Sequence, residues 1–136
     1  WLRAEISSLI REATGLHSFF EGAALIPVPL HPGKLRSRGY NQAVIVAEAI
    51  EAAVPGCRTR PCLARIRATP SQTFLSREER RRNMRNAFAR RNAVPGGRPL
   101  VLIDDVLTTG ATLNAAATAL RESTGDPISA FTLAHG

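Results

Sequence analysis

Leu100-Val101-Leu102-Ile103-Asp104-Asp105-Val106-Leu107-Thr108-Thr109-Gly110-Ala111-Thr112-Leu113 is the stretch that decides the fold. Its first four residues are apolar without a polar break, the pattern of a strand buried on both faces. The run ends on two adjacent carboxylates, and Thr108, Thr109 and Gly110 then lead into a helix. Leu113, Ala116, Ala117 and Leu120 recur at the i, i+3, i+4, i+7 spacing of one helical face. A strand, an acidic pair, a tight Thr/Gly turn and a helix N-terminus together make a place for a phosphorylated ligand. The first N–H groups of a helix have no intrahelical partner, and the positive end of its dipole attracts an anion. Carboxylates repel phosphate, so Asp104 and Asp105 are expected to meet hydroxyls or a magnesium ion while the turn takes the phosphate. A sugar 5-phosphate fits that division. Two other readings stay open on these residues alone. One is a buried strand before a capped helix with a surface acidic pair. The other is a phosphoacceptor aspartate, although such sites lack a Thr-Thr-Gly turn directly after the acids.

Upstream, apolar positions at Leu2, Ile6, Leu9, Ile10, Ala13 and Leu16 predict an amphipathic helix over 2–16, ending near Gly15. Residues 23–29 read as a strand closed by Pro27 and Pro29, since proline is confined to strand ends and edges. Next comes Pro29-Leu30-His31-Pro32-Gly33-Lys34-Leu35-Arg36-Ser37-Arg38-Gly39-Tyr40-Asn41-Gln42, read as a loop bracketed by Gly33 and Gly39. Lys34, Arg36 and Arg38 stand in it at alternate positions, a solvated basic loop or the means to neutralise a pyrophosphate. Asn41-Gln42 opens a helix whose inward face is Ala43, Val46, Ala47, Ile50 and Val54, stopped by Pro55-Gly56. A short strand is expected within 58–66, weakened by Pro61. Ser76-Arg77-Glu78-Glu79 satisfies the capping-box pattern, so a helix should start at Arg77. Gly125-Asp126-Pro127 breaks the last helix before an alternating strand over 128–134. Strands alternating with helices argue for an α/β fold, a central mainly parallel sheet flanked by helices.

The segment from Val28 to Gln42 resembles the Pro-Val-Pro-Leu-His…Arg-x-Arg-Gly-aromatic-Asn-Gln pattern of the ComF/GntX competence-type family, whose members carry a phosphoribosyltransferase domain. The order Arg65…Thr69…Gln72…Leu75…Arg80…Asn83…Ala87-Phe88 follows the same family's series, and 104–112 resembles the phosphoribosyl-pyrophosphate (PRPP) loop of type I phosphoribosyltransferases. The resemblance implies a type I phosphoribosyltransferase-like fold. By it, Asp104 and Asp105 hold the ribose hydroxyls, and Thr108, Thr109, Gly110, Ala111 and Thr112 hold the 5-phosphate. Lys34, Arg36 and Arg38 would meet the pyrophosphate, with Arg77, Arg80 and Arg81 as candidates on a hood that closes over it. It also implies Mg2+, with Asp104 and Asp105 as indirect ligands. The implied activity is phosphoribosyl transfer with pyrophosphate release to a nucleobase or amine acceptor that no stretch identifies. A link to DNA uptake follows too. The alternative is a non-catalytic module that binds PRPP, another phosphorylated ribose or single-stranded DNA. Full-length members often carry an N-terminal four-cysteine zinc-binding segment, and nothing in these residues supplies it.

Composition sets the outer bounds. A chain of 136 residues is expected to form one domain with its own core. The formal net charge is +7, and among 18 Lys and Arg only Lys34 is a lysine. Arginine's planar fork suits phosphate oxygens, so the excess points to a polyanion, either a pyrophosphorylated small molecule or nucleic acid. No apolar run approaches the length of a membrane span. The start, Trp1-Leu2-Arg3, has neither a Met nor a signal-peptide layout, which reads as a trimmed chain or a fragment, working in the cytoplasm. Cys57 and Cys62 read as ordinary semi-buried thiols, and a homodimer is the oligomer the reading carries.

Overall fold

The computed structural model describes residues 2–67, 76–79 and 86–136. Its frame is a four-stranded sheet in the order β2-β1-β5-β6, made of β1 (Ala24–Pro27), β2 (Arg58–Thr59), β5 (Leu100–Leu107) and β6 (Ile128–His135), with every neighbouring pair parallel. A separate antiparallel pair joins β3 (Leu63–Arg65) to β4 (Phe88–Arg90). The helices are α1 (Leu2–Glu12), α2 (Thr14–Phe20), α3 (Pro32–Arg38), α4 (Gln42–Ala53) and α5 (Ala111–Arg121). Parallel strands need crossovers that cover the faces: α4 lies between β1 and β2 and α5 between β5 and β6, while the β3–β4 pair lies in the connection from β2 to β5. The α/β class and the mainly parallel sheet are as the sequence predicts.

Strand alternation sorts the core into two layers. On one face, Leu25, Val101 and Ile103 pack with Ile6 and Ile10 of α1, Phe20 of α2 and Val46, Ala47 and Ile50 of α4. On the other, Ala24, Ile26, Leu100 and Leu102 pack with Ala111, Ala116 and Leu120 of α5 and with Leu63 and Phe88 of the β3–β4 pair. Residues 100–103 are buried on both faces, as a run without polar breaks requires. Cys57 and Cys62 are buried free thiols, deeper than the semi-buried positions expected.

Four local readings change. The N-terminal helix is two helices, because Ala13 takes an extended conformation and α2 runs on through Gly15. That break re-aims the chain so that Phe20 is buried edge-on against Phe131, ring centroids 5.1 Å apart. The basic loop is α3: Pro32 occupies the first turn, His31 Nδ1 accepts the Gly33 N–H (3.2 Å), and Gly39 closes the helix at φ 88. Proline at the start and glycine just past the end are helix boundary marks, and they outweighed the polar composition. The stretch 58–66 holds two short strands divided by Pro61, and the second leaves the main sheet. Finally, β5 does not stop at the acids but carries them within the strand.

Candidate functional site

The site is placed by the length of β5. Pairing with β1 stops at Pro27↔Ile103, closed by the Val28 N–H donating to the Ile103 carbonyl (2.8 Å), whereas pairing with β6 continues to Leu107↔His135. From Asp104 to Leu107 the strand therefore has a strand neighbour on one side only. Alternation puts Asp104 in line with Leu100 and Leu102, toward α5 and the β3–β4 pair, and Asp105 in line with Val101 and Ile103. The acids thus start from opposite faces of the strand, yet their carboxyl groups come within hydrogen-bonding reach of each other at its end. Each is turned along the backbone. The Asp105 N–H donates to Asp104 Oδ1 (2.9 Å), and the Val106 N–H donates to Asp105 Oδ1 (2.9 Å).

Asp104 is the electrostatically unusual group. Burial pushes its carboxyl up to about 7. The Asp105 carboxylate adds to the rise, while the Asp105 N–H and the Arg65 guanidinium pull the other way. Arg65, at the end of β3, lies with its Cζ 5.5 Å from the Phe88 ring centroid, and burial lowers its own pKa while Asp104 opposes that. Arg65 was visible in the sequence only as one position of a family series, with no role attached. Its half-burial beside a carboxylate is a product of tertiary packing that no local spacing encodes.

After β5 the chain enters a tight turn, where Thr108 is exposed and Thr109 half-buried. Gly110 sits at φ 81, a left-handed position that a side chain would strain, and α5 begins directly after it without a side-chain cap. The Ala111 N–H donates to Thr109 Oγ1 (3.3 Å), and the Asn114 N–H donates to the Gly110 carbonyl (2.9 Å). Ala111 is buried and Thr112 half-buried. An uncapped first turn leaves backbone N–H groups for an outside acceptor. The Gly136 N–H donates to the Leu107 carbonyl (2.8 Å), bracing the strand just before the turn.

The cations of α3 reach the same end of the sheet by a closed excursion. Asn41 caps α4 by accepting the Ala43 N–H (3.0 Å), and its Nδ2 donates to the Val28 carbonyl (3.0 Å). One side chain thus ties the return of the excursion to its departure point at the carboxyl end of β1. Lys34, Arg36 and Arg38 are all exposed. On a helix Lys34 and Arg38 are four apart and share a face, while Arg36 is about 200° from Lys34, so the three do not act as one patch. Among the hood candidates, Arg77 is exposed at the start of a helical turn. Ser76 and Glu79 form the reciprocal capping box there: Ser76 N–H to Glu79 Oε2 (2.7 Å) and Glu79 N–H to Ser76 Oγ (3.2 Å). Arg80 and Arg81, like Thr69, Gln72, Leu75 and Asn83, lie outside the described residues.

No protein-family model matches the chain. Competence protein F of Haemophilus influenzae is 34% identical over 129 residues, 93% of this chain and 56% of that protein. Competence protein ComFC of Bacillus subtilis is 34% identical over 111 residues, covering 80% of this chain and 43% of the relative. DNA utilization protein YhgH of Escherichia coli O157:H7 is 38% identical over 89 residues, 65% and 39% respectively. The chain is thus similar to proteins named for competence and for DNA utilization. The chain spans about half the length of the curated relatives it matches. Among the described residues no helix is long and apolar enough to cross a membrane.

Proposed function

We propose that this chain is a type I phosphoribosyltransferase-like domain that binds PRPP and transfers its phosphoribosyl group to an acceptor, releasing pyrophosphate, in the cytoplasm. The observation that carries the reading is the junction at 104–112. An acidic strand overhang is joined through a left-handed Gly110 to an uncapped helix start. Ribose hydroxyls suit Asp104 and Asp105, and the 5-phosphate suits Thr108, Thr109 and the backbone of Gly110, Ala111 and Thr112. Lys34 and Arg38, on one face of α3, suit the pyrophosphate, with Arg36 and the hood arginines Arg77, Arg80 and Arg81 as further contributors.

In the transfer, the bond from the anomeric carbon to the pyrophosphate oxygen breaks and the leaving group keeps the electron pair. A bond from an acceptor nitrogen to that carbon forms, and the acceptor gives up a proton. The developing positive charge on the sugar resembles the oxocarbenium state of glycoside cleavage. The chain's part is to hold the sugar and to stabilise departing charge with fixed cations. The residues present fit Mg2+ in a limited way. Among the described residues no three His, Cys, Asp or Glu converge, so the chain offers a carboxylate pair rather than a cage. Such a pair suits an ion that keeps several waters and takes its other ligands from phosphates. Asp104 and Asp105 would hold it through water, and the ion would supply charge neutralisation of the pyrophosphate.

The homologues' names indicate a role in competence or DNA utilization, which favours a second reading, a module that handles single-stranded DNA. The basic excess of the chain is compatible with it. A pyrophosphate-release assay with PRPP, Mg2+ and a panel of nucleobases and amines separates the two. Acceptor-dependent release that disappears in Asp104→Asn/Asp105→Asn supports the transferase. Absence of release together with salt-dependent oligonucleotide binding that survives the double substitution supports the module.

A further inference from the structure

The main sheet ends on two edges of opposite character. At one, β2 is two residues long, carries Arg58 and runs into Arg60 and Pro61. Short length, positive charge and proline all discourage a further strand. At the other, β6 runs for eight residues, Ile128–His135, with no proline and no Asp, Glu, Lys or Arg. Among the described residues no strand pairs with its outer side. We propose that this outer edge of β6 is an interface for a second copy of the chain, paired antiparallel about a two-fold axis so that the two sheets become one. It holds whatever ligand the 104–112 turn takes.

The backbone decides which groups are on offer. The Leu100 N–H donates to the Pro127 carbonyl (3.0 Å), and Leu100 pairs with Ile128. In a parallel ladder alternate residues turn both backbone groups to the same neighbour, so Ser129, Phe131 and Leu133 face β5. Ile128, Ala130, Thr132 and Ala134 each present an N–H and a carbonyl to the open side. Such a row is self-complementary under a two-fold rotation. An axis at Phe131 sets Ile128 against Ala134, and Ala130 against Thr132, of the second copy and uses all of these groups. An axis at Thr132 would set Ile128 against Gly136, whose N–H already goes to the Leu107 carbonyl. An axis at Ala130 would carry Ala134 past the start of the facing strand.

The side chains favour the same register. Phe131 then meets Phe131 of the second copy as a directly opposed pair without mutual hydrogen bonds, the pairing in which side chains come closest. Within one chain Phe131 already lies edge-on to Phe20, and Phe20 to Phe19 with ring centroids 5.0 Å apart, so the aromatic row continues across the axis. On that face Leu133, 46% exposed, falls opposite Ser129. Charge selects a second copy at this place. A formal net charge of +7 opposes self-association over most of the surface, and along β6 two copies meet without setting cation against cation. Antiparallel pairing also brings the Asp126 end of one strand to the His135 end of the other. Because β6 is the strand neighbour of the Asp104–Leu107 overhang, the second copy braces that overhang from behind.

One strand a side is well short of the about 20–30 residues of a standard interface, so the dimer is weak and forms at micromolar concentrations. Sedimentation velocity from about 1 to about 500 µM should show one chain giving way to two. Ala130→Lys, at an exposed position whose N–H takes no part in the β5 ladder, should raise the dissociation constant at least tenfold. Ala4→Lys adds the same charge on the exposed side of α1 and should leave it within twofold. Both variants should keep the parent's urea midpoint in dilute solution. Amide hydrogen exchange of the unsubstituted chain, read residue by residue by NMR, reports the register. With rising concentration, protection should increase at Ile128, Ala130, Thr132 and Ala134 and stay constant at Ser129, Phe131 and Leu133. A chain that stays single at every concentration leaves the edge to a different partner and overturns the assignment. A dimer that Ala130→Lys does not weaken, or protection that rises without this alternation, overturns it too.

Discussion

Replacing Asp104 by Asn should make the protein more stable at high pH while removing ligand binding. The carboxyl titrates at about 7 in the fold against an ordinary 3.8, chiefly because ionisation is opposed by burial. Between those two values the folded state holds a proton that the unfolded chain has released, so stability falls as pH rises across that window and levels off above it. About three pH units at 1.36 kcal/mol each gives at most about 4 kcal/mol of stability forfeited by the ionised residue. Asparagine imitates the protonated acid in shape and keeps an oxygen to accept the Asp105 N–H. It should therefore recover most of that loss above pH 8 and almost none below pH 3.5. Urea unfolding of both proteins at pH 3.5, 5, 7 and 8.5 reads the difference directly. With a slope of about 1–2 kcal/mol per molar urea, the variant's midpoint at pH 8.5 should lie above the parent's by about 1 M or more, with a ceiling of about 2–4 M. A pH-independent difference, or a variant less stable than its parent at pH 8.5, would refute the electrostatic reading of Asp104. Stability withheld at one carboxylate is the pattern expected where function requires a charge that folding disfavours.

Other perturbations test the supporting geometry. Gly110→Ala meets only ordinary contacts, the nearest Asn114 Nδ2 at 3.8 Å, so its cost is the left-handed backbone alone. Urea unfolding should show a loss of about 1 kcal/mol, and calorimetry a much larger loss of ribose 5-phosphate affinity. Asn41→Ala removes both the α4 cap and the tie to the Val28 carbonyl, and should cost about 1–2 kcal/mol by the same unfolding measurement. Because α3 is a helix, Lys34→Ala and Arg38→Ala should weaken PRPP binding to a similar degree, about tenfold each for a lost charged hydrogen bond, while Arg36→Ala should differ from both by at least fivefold. Equal effects from all three would return that segment to a flexible loop.

Much of this architecture is legible in the chain, for identifiable reasons. The apolar run 100–103 announces a strand covered on both faces, and the Asn41 and Ser76 caps announce helix starts, because these signals are local and carry their own hydrogen bonds. Where the reading slipped, longer-range packing had decided the matter. The break at Ala13 serves the burial of Phe20 against Phe131, more than a hundred residues away. The extension of β5 past its acids is held by β6, whose partner residues are invisible to any window around 104. The helix of 32–38 is a different case with a local cause: proline and glycine stand at its ends, but the charge and turn residues inside the segment read as a loop. In the site, the 104–112 turn was marked out by its own residue order, whereas the opposed faces of Asp104 and Asp105 follow only once the strand is known to continue. Arg65 entered through the fold of β3 onto Phe88 and α5, which no spacing in the sequence expresses.

Calorimetric titration of PRPP in Mg2+ into the unsubstituted chain and into Asp104→Asn/Asp105→Asn addresses the ligand-binding role of the overhang and turn directly. Saturable one-site binding by the parent, weakened at least a hundredfold in the double variant, is the expected result. No binding by the parent, or equal affinity in the two proteins, would contradict it.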